Sequence, residues 1–135
     1  MARQLLTIIA STDGQNTSGQ CKLYSSLFAV PADFIVVPLG MKLRIWQKRM
    51  TGAVDTEFKI EYTNDITPQF SGQEATWTTI SVDKYLSSQG EVNIGLSKPI
   101  EVFGRTGREA IRVTWSQSTA GFATLELEVE ITDED

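Results

Sequence analysis

The chain has no histidine and one cysteine, Cys21. The missing histidine removes the Ser-His-Asp and Cys-His nucleophile pairs, imidazole general bases and imidazole metal ligands together. Chemistry carried by carboxylates alone, as in glycosidases, is what survives. A single cysteine allows no internal disulfide and no multi-cysteine zinc site. With no histidine to activate it, Cys21 reads as a buried, inert thiol. Positive charge is also in deficit: 12 Lys and Arg stand against 17 Asp and Glu, a net charge of −5. Phosphate backbones require a basic footprint, so nucleic acid is not the expected partner. No apolar run approaches the roughly 20 residues of a membrane-spanning helix. The stretch from Leu5 to Ala10, broken by Thr7, is too short for a secretory signal, and we expect a product made in a cytoplasm without one. No residue set implies a metal or a cofactor.

What is present is an ordinary globular composition, 41% hydrophobic and 21% charged over 135 residues. A chain of this size buries roughly two thirds of its unfolded surface and needs no staple. No repeat, linker or low-complexity stretch divides it, so residues 1–135 read as one domain. Residues 11–20 read as a flexible polar loop and 132–135 as an acidic tail.

Period-two alternation dominates, and no long amphipathic helix is visible. Met41, Leu43 and Ile45 point one way, and Lys42, Arg44, Trp46 and Lys48 the other. After Thr51-Gly52, Phe58, Ile60 and Tyr62 alternate with Glu57, Lys59 and Glu61. Folded as a hairpin with its loop near 50–55, these segments set Leu43 against Tyr62, Ile45 against Ile60 and Gln47 against Phe58. The same register places Arg44 opposite Glu61 and Lys48 opposite Glu57. A second hairpin, turning at Ser118 to Gly121, pairs Trp115 with Leu125, Val113 with Leu127 and Arg112 with Glu128. Further strands are expected at Leu5 to Ala10, Phe34 to Val37, Thr76 to Val82, Val92 to Leu96 and Ile100 to Phe103. A helical turn capped by Asp83 would end before Gly90. The fold class is therefore all-β: a single antiparallel β-sandwich or jelly-roll-like domain of eight or nine strands.

Three side-chain sets could carry function. Glu126, Glu128 and Glu130 share one strand face, about 7 Å apart. They could hold a hard cation or work as an acid/base pair, but a solvated or partner-paired face is the simpler reading. Lys42, Arg44, Lys48 and Arg49 surround Trp46 on a basic strand, which could meet the acidic strand of another copy and set its register. Trp46 and Trp77 fall on the polar parity of their strands, where an exposed indole stacks on a sugar or anchors a protein interface. Gly104-Arg105-Thr106-Gly107-Arg108 lacks the strand-to-helix context of a phosphate loop and reads as a turn whose Arg105 and Arg108 could contact a partner.

The segment Phe58-Lys59-Ile60-Glu61-Tyr62-Thr63-Asn64-Asp65, followed by Ala75-Thr76-Trp77-Thr78-Thr79-Ile80, resembles a hairpin of discoidin-like and galactose-binding-like sandwiches. The cysteine pair usual there is missing. In size, in its lack of histidine and in its Thr- and Gly-rich strands, the whole chain resembles small β-sandwich virion proteins of tailed phages, including head decoration (cement) proteins. That likeness implies a capsid-decorating homo-oligomer, a trimer above other forms. It would bind the major capsid protein or another virion protein, be made in the host cytoplasm and reside in the virion. No enzymatic role is expected. The alternative is a carbohydrate- or receptor-binding module, such as a tail component, with a glycan as partner.

Overall fold

The computed structural model describes residues 3–25, 31–94 and 98–133. Its strands follow the alternation: β1 (Arg3–Ser11), β2 (Ser18–Gln20), β3 (Lys22–Tyr24), β4 (Ile35–Val36), β5 (Met41–Gly52) and β6 (Thr56–Thr63), then β7 (Thr78–Tyr85), β8 (Val92–Asn93), β9 (Ile100–Phe103), β10 (Ala110–Ser116) and β11 (Ala123–Asp133). Two short 3-10 turns, Thr67–Ser71 and Ser87–Gln89, interrupt them. The described strands number eleven rather than eight or nine, because β2, β3, β4 and β8 are pieces of two or three residues.

These strands form two antiparallel sheets. One runs β3-β1-β11-β5, with β8 and β9 in tandem on the outer edge of β5. The other runs β2-β10-β6-β7, with β4 beside β2 on β10. Their inner faces meet in one core. Ile8, Leu43, Ile45, Leu125, Leu127 and Val129 come from the first sheet, and Phe58, Ile60, Ile111, Val113 and Trp115 from the second. Each such side chain contributes about 1.5–3 kcal/mol by leaving water. This is the antiparallel β-sandwich expected of the sequence.

Neither expected hairpin exists, although every core parity in them is right. β5 pairs with β11, β8 and β9, whereas β6 pairs with β10 and β7. Residues 53–55 therefore arch from one sheet to the other, and residues 117–122 arch back. Ile45 and Ile60 lie on opposite walls of the core, as do Val113 and Leu127. Alternation fixes which face a residue takes, and a pair of apolar faces is buried equally well side by side or face to face. The charges found other partners. Arg44 bonds Glu101 and Glu130, Lys48 meets Glu128, and Glu61 takes Arg112. Glu57 lies between Lys59 and Lys84.

An arch leaves backbone groups outside the ladders, and they must find partners elsewhere. Buried Gln117 supplies several. Its Nε2 donates to Thr56 Oγ1 at 3.0 Å and to Gly121 O at 2.8 Å, and its Oε1 accepts from Gly121 N at 3.2 Å. Thr12 Oγ1 donates to Gly121 O and accepts from Ala123 N. Tyr85 donates its hydroxyl to Gly52 O at 2.9 Å. Gly52 is no turn residue: a side chain there would strike Ala123, its neighbour across the ladder, so only glycine fits.

The chain crosses once more at Cys21, which joins β2 in one sheet to β3 in the other and closes that side of the sandwich. Burial pushes its thiol up to about 12, in line with an inert cysteine. Among the described residues no strand closes the opposite side, between β7 and β9. Smaller corrections follow from the ladders. The loop expected over 11–20 is cut short by β2, and Trp115 and Gln117 tie its end through Asn16 O and Thr17 O. Asp83 caps nothing, because β7 runs through it to Tyr85; Asp55 instead accepts from the Ser87 amide and hydroxyl. The strand expected at Phe34 to Val37 shrinks to β4, and that at Val92 to Leu96 to β8, with Leu96 outside the described residues. Asp133, assigned to the tail, pairs with Met41, whereas Glu134 and Asp135 lie outside the described residues.

Candidate functional site

The acidic and basic strands singled out in the sequence are neighbours in one chain. β11 and β5 pair so that Glu126 faces Arg49, Glu128 faces Trp46 and Glu130 faces Arg44. A bulge between Glu126 and Leu127 takes up Lys48 as the extra residue of β5. Arg49 reaches Glu126 at 2.5 Å and Glu91 at 3.4 Å; Lys48 reaches Glu128 at 3.9 Å. Arg44 bridges Glu101 at 2.8 Å and Glu130 at 3.3 Å, and Lys42 adds Glu101 at 3.8 Å. The hydrogen bond from Arg44 holds the Glu101 carboxyl below its usual range. The outer face is thus an acid–base–acid ladder across three strands, with Trp46 half-buried in it. The charge complementarity expected between copies is met within one copy. No cluster of three or more potential metal ligands exists among the described residues.

Trp77 is the second aromatic singled out, and a guanidinium covers it. It precedes β7, and Arg112 lies 4.2 Å above its ring. Arg112 also bonds Glu61 at 2.8 Å, Glu74 at 3.0 Å and Gln20 at 3.1 Å. Among the described residues the buried indole N–H has no hydrogen-bond partner. Trp77 is therefore the clamp of the 64–77 strap on sheet β2-β10-β6-β7, not a free stacking platform.

Arg105 and Arg108 flank a turn, as expected. Its purpose is to hold Glu109, a buried carboxylate that accepts from the amides of Arg105, Thr106 and Gly107 at 3.1–3.2 Å. Burial pushes this carboxyl up, and the amide donors outweigh it, leaving it below its usual value. Arg105 also sits 5.0 Å over the Phe103 ring. Arg108 is exposed beside Asp65.

Two concave surfaces stand out that the sequence did not reveal. The first is the open side. Tyr62, Ile80, Ile100, Val102 and Phe103 line a cleft of about 290 Å³ between the edges of β7 and β9, with Arg105 at its rim. Among the described residues no strand pairs with the far edge of β7, where Val82 is 48% exposed and Ile80 36%. Farther along the same edge, Gln47 reaches across from β5 to Ser81 at 2.5 Å and to Asp83 at 3.1 Å. Burial raises the Asp83 carboxyl, against the hydrogen bond from Gln47. The second surface is a groove of about 450 Å³ on the opposite flank, lined by Gln20, Lys22, Asp33, Phe34, Gln69 and Phe70. Its one sequence signal was Phe70, a large apolar residue directly after Pro68-Gln69 in a polar loop.

No family model matches the chain, and no curated protein does. Solved structures do resemble it. Murine APRIL at pH 8.0 superposes with a TM-score of 0.51 at 8% identity, covering 94% of this chain and 98% of that one. The same protein at pH 8.5 gives 0.50 at 10% identity, covering 93% and 98%. PirA gives 0.39 at 12% identity, covering 98% and 93%. The likeness to APRIL extends over nearly the whole of both chains and is one of fold: this chain is a jelly-roll-like β-sandwich module.

Proposed function

We propose that this module is a structural protein that assembles with copies of itself through its open side and, so assembled, binds the shell of a virion as a decoration protein. The observation that carries the reading is the free edge of β7, with Ile80 and Val82 exposed beside an apolar cleft. A strand of eight residues with unpaired backbone groups is a template for another chain, and proteins that stay single blunt such edges with charge. Asp83 and Lys84 guard one end of this edge, whereas the stretch beside the cleft keeps Ile80 and Val82 apolar and exposed. The open side presents two unlike edges, β7 and β9, to a second copy, and a closed ring, a trimer above other forms, is the assembly we propose where the rotation between copies closes.

The test is reconstitution. Purified protein mixed with undecorated shells of its own virus saturates them at a fixed stoichiometry, and the decorated shells withstand heating better. Protein that binds no such shell sinks the decoration reading, while leaving self-assembly to be judged by its native mass.

A further inference from the structure

We propose that the groove between the strap at 67–71 and residues 33–34 is a binding site for a neutral saccharide. Phe70 stands on the 3-10 turn Thr67–Ser71 with 71% of its surface exposed. Pro68 starts this turn, and Gly72, left-handed at φ 75°, ends it, so the backbone holds the ring outward. Phe34 supports it edge-on, with ring centroids 5.9 Å apart and planes at 76°. Phe70 thus stands in solvent on a structured turn with the half-buried Phe34 behind it, at the wall of a groove that also holds polar groups.

The polar groups beside the rings specify what the surface suits. Lys22 and Asp33 form an ion pair at 2.6 Å, and each side chain is 55% exposed. Gln20 steadies Asp33 by donating Nε2 to its backbone carbonyl at 2.5 Å. Gln69 accepts from the Ala75 amide at 2.7 Å, which fixes its carboxamide at the groove wall. The site therefore offers an aromatic platform, a carboxylate acceptor, an ammonium donor and the carboxamide Nε2 of Gln69, with no net charge; Gln20, bonded to Asp33 and Arg112, is a support. A pyranose has the matching chemistry. One face of C–H groups lies on an aromatic ring, and equatorial hydroxyls both donate and accept. An anionic ligand would meet Asp33, and a purely apolar one would desolvate the ion pair without replacing its hydrogen bonds. The groove holds roughly two sugar rings, within the usual size of ligand sites.

This site is separate from the open side, so it stands or falls independently of assembly there. The experiment is calorimetric or NMR titration with cellohexaose, xylohexaose, maltohexaose and chitohexaose, with a proline-rich peptide as the competing class. At least one hexasaccharide binds, and Phe70→Ala weakens it about tenfold or more at unchanged melting temperature. Lys22→Ala weakens the same ligand, whereas Trp46→Ala does not. The proposal is overturned if no hexasaccharide binds, if binding survives Phe70→Ala, or if only the peptide binds.

Discussion

Asp83 occupies an inner position of β7, where alternation calls for an apolar side chain. In the sequence Asp83-Lys84-Tyr85-Leu86 reads as the start of a helical turn, because Asp is a good cap and poor in strands. Its strand placement follows from Tyr85, whose buried ring and bond to Gly52 pull the segment into the sheet. The consequence is measurable. The Asp83 carboxyl is raised from 3.8 by burial, so the folded state holds this proton more tightly than the unfolded chain. Its contribution to stability is complete below 3.8 and is lost as pH rises through the folded value. Asp83→Asn should therefore raise the melting temperature at pH 7 and leave it little changed near pH 3. Glu109 runs the other way: its carboxyl is depressed below 4.5, and its contribution is present above that value and lost in acid. Glu109→Ala strands three amide donors and should cost about 1–3 kcal/mol at neutral pH, read from urea denaturation.

At the scale of elements, the sequence shows faces far better than partners. Leu43, Ile45, Phe58, Ile60, Val113 and Leu127 all lie inward as their parity requires. Which strand each lies beside was not legible, because an arch of residues 53–55 and a hairpin loop bury the same set. The clues that favour the arch are polar and local. The connection Ala53-Val54-Asp55 lacks the Asn-Gly or Asp-Gly of a tight hairpin, and Gln117 sits where a solvent-facing residue would serve a simple turn. Gln117→Ala removes the lock on both arches and should cost about 1–3 kcal/mol, as a shift in the urea midpoint. The strap is a second such element. Arg112 stacks on Trp77 and joins Glu61, Glu74 and Gln20. Arg112→Ala should cost about 3 kcal/mol and shift the emission of Trp77 toward that of a solvated indole. Arg112→Lys should recover only part of it, since an ammonium cannot serve this fork and stack together. Parity singles out Trp46 and Trp77, of which one is half-buried and the other lies under Arg112, whereas Phe70, like Phe122, is a ring left in water that no alternation marks.

The whole molecule is a sandwich closed on one side by the crossing at Cys21 and, among the described residues, open on the other between β7 and β9. Its ionic ladder is satisfied within the chain, so charge contributes to the stiffness of the outer face and little to joining copies. The more solvated pairs, such as Arg49 with Glu91, are each worth about 0–1 kcal/mol, whereas Glu130 is buried against Arg44. The association proposed through Ile80, Val82 and the cleft rests on apolar contact, and salt at high concentration should leave it intact. Val82 is half in solvent, so a lysine there leaves the fold stable while placing a charge on the joining edge. The native mass of wild type and Val82→Lys, measured by light scattering at physiological and high salt, is the most direct test. A closed oligomer, a trimer foremost, that persists in high salt and falls to monomer in Val82→Lys is the predicted result. A wild type that is monomeric at every concentration, an oligomer that dissolves in salt, or one that survives Val82→Lys would contradict assembly through the open side.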